Sequence, residues 1–371
     1  MRERVFCFII IFMMLMANPS YGQEKMKNIQ TGGKSAIVMD VETGRILYEK
    51  NMHLKLPMAS TTKIMTALLA IENIPLEKRV KINQNAQGIE GSSIYLRANE
   101  EVKAIDLVYG LMLRSGNDAA AAIAYEVSGS IEAFADLMNE RANKIGAKNT
   151  NFTNPHGLHH ENHYTTAYDL ALITREALKN SVFKEVVKTK FWTADRNEYK
   201  HFANKNIGLE ICEGGDGVKT GYTTRSGRCL VSSASREGMQ FISITLDDYN
   251  WFDTNKKLLD EGFKRYRPHH IFTEEQVITS MKVLNGKKNT VFIKPNRGLI
   301  VPLSEGELER LLTVINAPDT LEAPLEKGSK IGTMVTYLDG KILGTTDLII
   351  DESVERITIR EKIKNLFIKQ N

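Results

Sequence analysis

Ser60-Thr61-Thr62-Lys63 follows Pro57-Met58-Ala59 and opens an apolar run, Ile64-Met65-Thr66-Ala67-Leu68-Leu69-Ala70-Ile71. Ile64, Leu68 and Ile71 recur at helical spacing, and serine is a favoured N-cap. The stretch therefore predicts a buried helix with Ser60 at its first turn. Lys63 lies three residues on, on the same face and one turn above. A serine hydroxyl is a poor nucleophile at neutral pH and needs a base beside it. A lysine serves when burial and neighbouring positive charge lower its pKa. The helix N-terminus also favours negative charge developing on the serine oxygen.

The S-x-x-K pattern recurs at Ser181-Val182-Phe183-Lys184, so alone it decides little. Two further tripeptides single out Ser60. Ser115-Gly116-Asn117 follows the helix-like run Leu107 to Leu113, and Lys219-Thr220-Gly221 follows a glycine-rich turn, Gly214-Gly215-Asp216-Gly217. Their order matches that of penicillin-recognising serine enzymes. Ser181 has no such companions and reads as a helix cap.

With these motifs the chain resembles the low-molecular-mass penicillin-binding proteins, secreted two-domain D-alanyl-D-alanine carboxypeptidases. The resemblance runs from about Gly33 to about Ile350. It includes Asp40 to Tyr48, Asn154-Pro155-His156-Gly157-Leu158, and Gly221-Tyr222-Thr223-Thr224 with Gly227 and Cys229-Leu230-Val231. Gly116 stands where class A β-lactamases carry aspartate, which favours the carboxypeptidases.

The resemblance implies a substrate, a peptidoglycan stem peptide ending in D-Ala-D-Ala, and β-lactams as inhibitors. It implies Ser60 as nucleophile, Lys63 as its base, Ser115 as proton relay, and Asn117 as a partner of Lys63 or of the substrate amide. Lys219 and Thr220 would receive the terminal carboxylate, with Lys205 assisting. Gly221 would let substrate backbone lie close to the strand, and the N–H groups of Ser60 and Tyr222 would form the oxyanion hole. His156 would border the site, orienting the deacylating water or propping its loop. No cofactor is implied. His156, His159, His160 and His163 sit in a loop rich in Asn, Pro and Gly, a poor metal framework.

Two other functions compete. A serine β-lactamase would need a deacylating glutamate, and only Glu161, among histidines, stands in the 152–169 loop. A non-catalytic cell-wall peptide binder would be marked by a broken serine–lysine pair, and the pair is intact.

The chain has 371 residues, 42% hydrophobic, and a net charge of +4. Such a chain can bury two cores, and no Lys/Arg run is dense enough for nucleic acid. Residues 1–22 combine a charged start, an apolar run and small residues at Ser20-Tyr21-Gly22, as in a secretory signal peptide. Cys7 would leave with it. Cys212 and Cys229 remain, flanking Lys219; export permits a bridge, though free buried thiols are common.

Strands at both ends with helices between predict an α+β catalytic domain over 32–268, an antiparallel sheet covered by helices. A small all-β domain is predicted over 269–352, with strands at Gln276-Val277, Thr290–Ile293, Leu299–Val301, Leu311–Val314, Thr333–Tyr337 and Lys341–Leu343. The tail, 353–371, places Ile359, Ile363, Leu366 and Phe367 at helical spacing among basic residues. It predicts an amphipathic anchor to the outer face of the cytoplasmic membrane.

Overall fold

The computed structural model describes Met26 and residues 29–361. The expected signal peptide and most of the expected membrane tail lie outside them. Two compact units divide the described chain between Arg265 and Tyr266.

The first unit opens with β1 (Ser35–Asp40) and β2 (Ile46–Lys50). A 3-10 turn over Ala59–Thr62 leads into α1 (Lys63–Asn73). Then come β3 (Arg79–Lys81), β4 (Glu101–Lys103), α2 (Ala104–Leu113), α3 (Asn117–Ser128) and α4 (Ile131–Ile145). Next are α5 (Ala167–Ala177), α6 (Ser181–Lys188), the hairpin β5 (Phe191–Thr193) and β6 (His201–Ala203), and α7 (Gly208–Ile211). The strands β7 (Gly215–Thr223), β8 (Gly227–Arg236) and β9 (Met239–Leu246) and the helix α8 (Trp251–Arg265) complete it.

The main sheet has the order β2-β1-β9-β8-β7, with every pairing antiparallel. Alternation along β1 assigns its two faces. Ile37 and Met39 join the cluster built with α1, α2, α3 and α5, whereas Val38 lies against Gly262 of α8. Helices thus cover both faces, giving the predicted α+β architecture. Lys63 to Ala70 are all buried, so α1 runs through the core rather than along its surface. Burying each Leu or Ile of such a helix contributes about 1.5–3 kcal/mol. Gly146, at φ 95°, ends α4 in the left-handed region, as its position predicts.

Two local readings change. Ser60 sits in the 3-10 turn just before α1, not in the α-helix itself. Asn180 rather than Ser181 caps α6: its side-chain oxygen accepts from the N–H groups of Val182 and Phe183. A carboxamide at that position takes the orphan donors, and Ser181 becomes the first helical residue.

The second unit pairs β10 (Arg267–Phe272) with β13 (Leu299–Leu303). It adds a six-stranded sheet from β11 (Thr279–Leu284), β12 (Thr290–Pro295), β14 (Leu311–Asn316), β15 (Thr320–Glu322), β16 (Lys330–Leu338) and β17 (Lys341–Ile350). Phe272, Val291, Ile293, Val301, Leu348 and Ile350 belong to a core of its own. Asp339 and Gly340, at φ 50° and 75°, make the tight turn between β16 and β17. Gln276-Val277 is not a strand. The N–H of Gln276 turns back to the carbonyl of Thr273, and pairing starts only at Ile278.

Candidate active site

The 3-10 turn carrying Ser60 packs against β7, the edge strand of the main sheet. Ala59 adopts φ 47°, a conformation that costs a non-glycine residue about 1–2 kcal/mol. Gly221 explains how the strand approaches so closely. A Cβ there would lie 3.0 Å from the Ser60 nitrogen and 3.1 Å from that of Thr61. The glycine therefore makes room for the serine turn itself, a role its sequence position did not announce.

Lys63 Nζ lies 3.0 Å from Ser60 Oγ and donates to Asn117 Oδ1 (2.7 Å) and the His156 carbonyl (2.5 Å). The lysine is fully buried and Ser60 half-exposed. Burial above all, then the charge of Lys219, pushes the Lys63 pKa well below its usual value. Asp118 opposes the shift, and Lys205 adds to it. A neutral amine keeps two N–H donors and one lone pair. Asn117 Oδ1 and the His156 carbonyl can only accept, so they take the two donors. The lone pair is left facing the hydroxyl of Ser60.

Ser115 and Asn117 come from the α2–α3 connection. Ser115 is held at φ 63°, and its hydroxyl accepts from Lys219 Nζ at 3.1 Å. Asn117 is fixed from the opposite side: its N–H donates to the Ser92 carbonyl and its Nδ2 to that of Glu90. Lys219 is also buried, and its Nζ reaches the Thr220 carbonyl. Burial and Lys205 lower its pKa to about 7. Lys205 is exposed, and its Nζ is 3.4 Å from Ser92 Oγ. Thr220 is half-buried and Tyr222 is 63% exposed, both on the same edge strand.

The 154–157 loop is tied down by α1 at two points. Lys63 holds the His156 carbonyl, and Thr66 Oγ1 donates to that of Pro155 at 2.6 Å. His156 Nδ1 accepts from the Leu158 N–H, and burial drops its pKa to about 3. His163 has a different position and both ring nitrogens are engaged. Thr153 N–H donates to Nδ1 at 3.0 Å, and Nε2 lies 2.8 Å from Thr62 Oγ1. That hydroxyl already donates to the Ala59 carbonyl, so Nε2 carries the proton. Buried and uncharged, with a pKa near 3, His163 braces the turn that bears Ser60. Among the described residues no group of three or more His, Cys, Asp or Glu could hold a metal. Cys212 and Cys229 are free and buried. Glu161 is exposed and makes no hydrogen bond to the serine–lysine cluster among the described residues.

The structure thus brings Ser60, Lys63 and Asn117 into one hydrogen-bonded set and Ser115 and Lys219 into a second, with the charge of Lys219 felt at Lys63. The family model for D-alanyl-D-alanine carboxypeptidases matches residues 22–250, more than half of the chain. The chain belongs to the D-alanyl-D-alanine carboxypeptidase family. A second family model, the penicillin-binding protein 5 C-terminal domain, matches residues 266–356. The D-alanyl-D-alanine carboxypeptidase DacF of Bacillus subtilis is 34% identical over 334 residues, covering 87% of this chain and 86% of its own. Penicillin binding protein 5 of Haemophilus influenzae superposes with a TM-score of 0.70 at 29% identity, covering 88% of this chain and 99% of its own. A mutant of the Streptomyces K15 DD-transpeptidase superposes at 0.60 and 30% identity, over 64% of this chain and all of its own. For this family membership the sequence motifs were sufficient. The bracing by Thr66 and His163 was not read from sequence.

Proposed function

We propose that this chain cleaves the terminal D-alanine from peptidoglycan stem peptides through an acyl-enzyme on Ser60. The observation that carries the reading is the Lys63 amine, buried, its donors committed, and 3.0 Å from the serine oxygen. Lys63 takes the proton as Ser60 Oγ bonds to the carbonyl carbon of the penultimate D-alanine. The N–H groups of Ser60 and Tyr222 receive the oxyanion. Collapse of the tetrahedral adduct breaks the peptide bond. The leaving amine takes that proton from Lys63, relayed through Ser115, which Lys219 orients, so that Lys63 is neutral again as free D-alanine departs. Water, deprotonated in turn by Lys63, attacks the ester and restores Ser60. Lys219, Thr220 and Lys205 form the cationic and polar side on which the terminal carboxylate docks, and substrate backbone extends the sheet along β7. A β-lactam would enter by the same first step and leave a penicilloyl ester.

The proposal includes export through cleavage near residue 22 and peripheral membrane attachment by the tail. The composition of both ends supports it. Thr358 and Glu361 form a reciprocal capping box at residues 359–361, where a helix starts. No helix among the described residues is long and apolar enough to cross a membrane.

The test is paired: release of D-alanine from a D-Ala-D-Ala pentapeptide, and mass spectrometry of penicillin-treated protein. The expected adduct lies on the peptide containing Met58 to Lys63. An adduct on Ser115 or Ser181, or labelling that survives Ser60→Ala, would overturn the assignment. Rapid turnover of the drug without D-alanine release would favour a β-lactamase.

A further inference from the structure

Tyr95 and Tyr199 are 61% and 54% exposed, yet they are not loose surface residues. Their ring centroids are 4.7 Å apart at 38°, so the rings lean against each other in a tilted stack whose outer face stays open. A single buried guanidinium fixes the backbone under both. Arg196 donates to the carbonyls of Ile94 (2.8 Å), Tyr95 (3.1 Å) and Tyr199 (3.4 Å), and binds the Glu100 carboxylate with Nε and Nη2. Its side chain is only 2% exposed. Arg97 and Glu198 pair across the same two loops. The hairpin behind Tyr199 is pinned to α2 by Trp192, which stacks on Tyr109 and donates to Asp106. An exposed aromatic pair on so firm a support is arranged for contact with something flat and amphipathic.

The loop that carries Tyr95 also carries the groups that hold Asn117. Glu90 and Ser92 accept from Asn117, and Ser92 Oγ meets Lys205. Tyr95 is three residues from Ser92, at most about 10 Å along the chain. In a peptidoglycan substrate several stem residues, about 15 Å when extended, separate the scissile bond from the sugar. A pyranose ring presents C–H groups on its faces and hydroxyls at its rim, which matches the outer tyrosine face of such a stack and the two phenol hydroxyls at its edge. Further along the loop, Asn99 lines a cleft of about 370 Å³ with Asn83, Gln84 and Asn85. These carboxamides supply donors and acceptors of the kind that acetamido and hydroxyl groups need.

We infer that Tyr95 and Tyr199 form a docking platform for the N-acetylated sugar of the peptidoglycan substrate. The inference rests on the carboxypeptidase reading above. The platform lets the enzyme prefer stem peptides still attached to glycan over free peptides.

The test compares a disaccharide pentapeptide with the free pentapeptide as substrates for wild type, Tyr95→Ala, Tyr199→Ala and Tyr95→Phe. The alanine variants should raise KM for the disaccharide substrate about five-fold, while KM for free pentapeptide changes by less than about two-fold. Tyr95→Phe, which keeps the face, should behave as wild type. Unchanged penicillin acylation rates check that the neighbouring Asn117 loop is intact. Equal KM rises for both substrates, or none for the disaccharide substrate, would overturn the platform. A wild type that releases no D-alanine from either would overturn the carboxypeptidase reading instead. Titration with the peptide-free disaccharide, followed by tyrosine signals in NMR, then decides the platform alone: perturbation lost in Tyr95→Ala supports it, and no perturbation overturns it.

Discussion

Gly157 lies directly against Ala59: a Cβ on the glycine would come within 1.9 Å of the Ala59 carbonyl oxygen. The residue before Ser60 and the loop whose His156 carbonyl accepts from Lys63 are thus one packed unit. Gly157 also has φ 89°, which L side chains rarely adopt.

Gly157→Ala should therefore separate the loop from the turn. The His156 carbonyl would leave Lys63, and Ser60 would shift. A misplacement of about 1 Å can cost about 100-fold in rate. Stopped-flow acylation by penicillin should fall by that order, with a drop in melting temperature. An acylation rate near wild type would show that the loop does not set the lysine's position.

Lys63 and Lys219 should fail differently when replaced. Removing a general base costs about 10²–10⁴-fold in the chemical step, so Lys63→Ala should lose acylation by that factor. Lys219→Ala should raise KM for the peptide and slow acylation less if, as proposed, its charge serves recognition and orientation. Steady-state kinetics beside single-turnover acylation separates the two. Near-normal acylation in Lys63→Ala would place the base elsewhere.

The two buried histidines predict an acid-sensitive fold. His156 and His163 both have folded pKa values near 3, against about 6.5 when unfolded. Between these values the unfolded chain binds more protons, so stability is complete above about pH 6.5 and falls as pH drops toward 3. Urea unfolding at pH 7, 6, 5 and 4 should show the decline. His163→Asn should be less stable at pH 7, having lost its bridge between Thr62 and Thr153, but less steep toward acid. An identical slope would remove His163 from the acid response.

The tail prediction concerns salt. Arg356, Arg360, Lys362, Lys364 and Lys369 outnumber Glu355 and Glu361 within 353–371. Each basic residue near an anionic surface contributes about 1 kcal/mol. A chain starting at Gln23 should sediment with anionic vesicles at low salt and release as salt rises, and the same chain ending at Glu352 should not sediment. Equal partitioning of both forms would exclude the tail as anchor.

What was legible in the sequence was local. Ser60-x-x-Lys63, Ser115-x-Asn117 and Lys219-Thr220-Gly221 are each short enough to carry their own signal. The helices from Ile131 and Ile105 announce themselves by spacing and by Gly146. What was not legible joins distant positions. His163 meets Thr62 across 101 residues, and Arg175 reaches the Val41 carbonyl across 134. Nothing near His163 distinguishes a brace from a ligand or a solvated ring. Strand β10 was missed for another reason: Pro268, His269 and His270 do not alternate in polarity as a half-buried strand should. Its identity comes from pairing with β13.

The main sheet stops at β7, and a sheet that stops leaves a row of unpaired backbone groups. Such an edge invites other chains to add a strand and so to aggregate. Proteins deter this with charges that point inward at the edge. Lys219, buried on β7, is such a charge. The lysine that would receive a substrate carboxylate would thus also guard the edge against foreign strands. Enzyme carrying Lys219→Met should scatter more light with rising concentration than wild type does, and an occupied acyl-enzyme should scatter less.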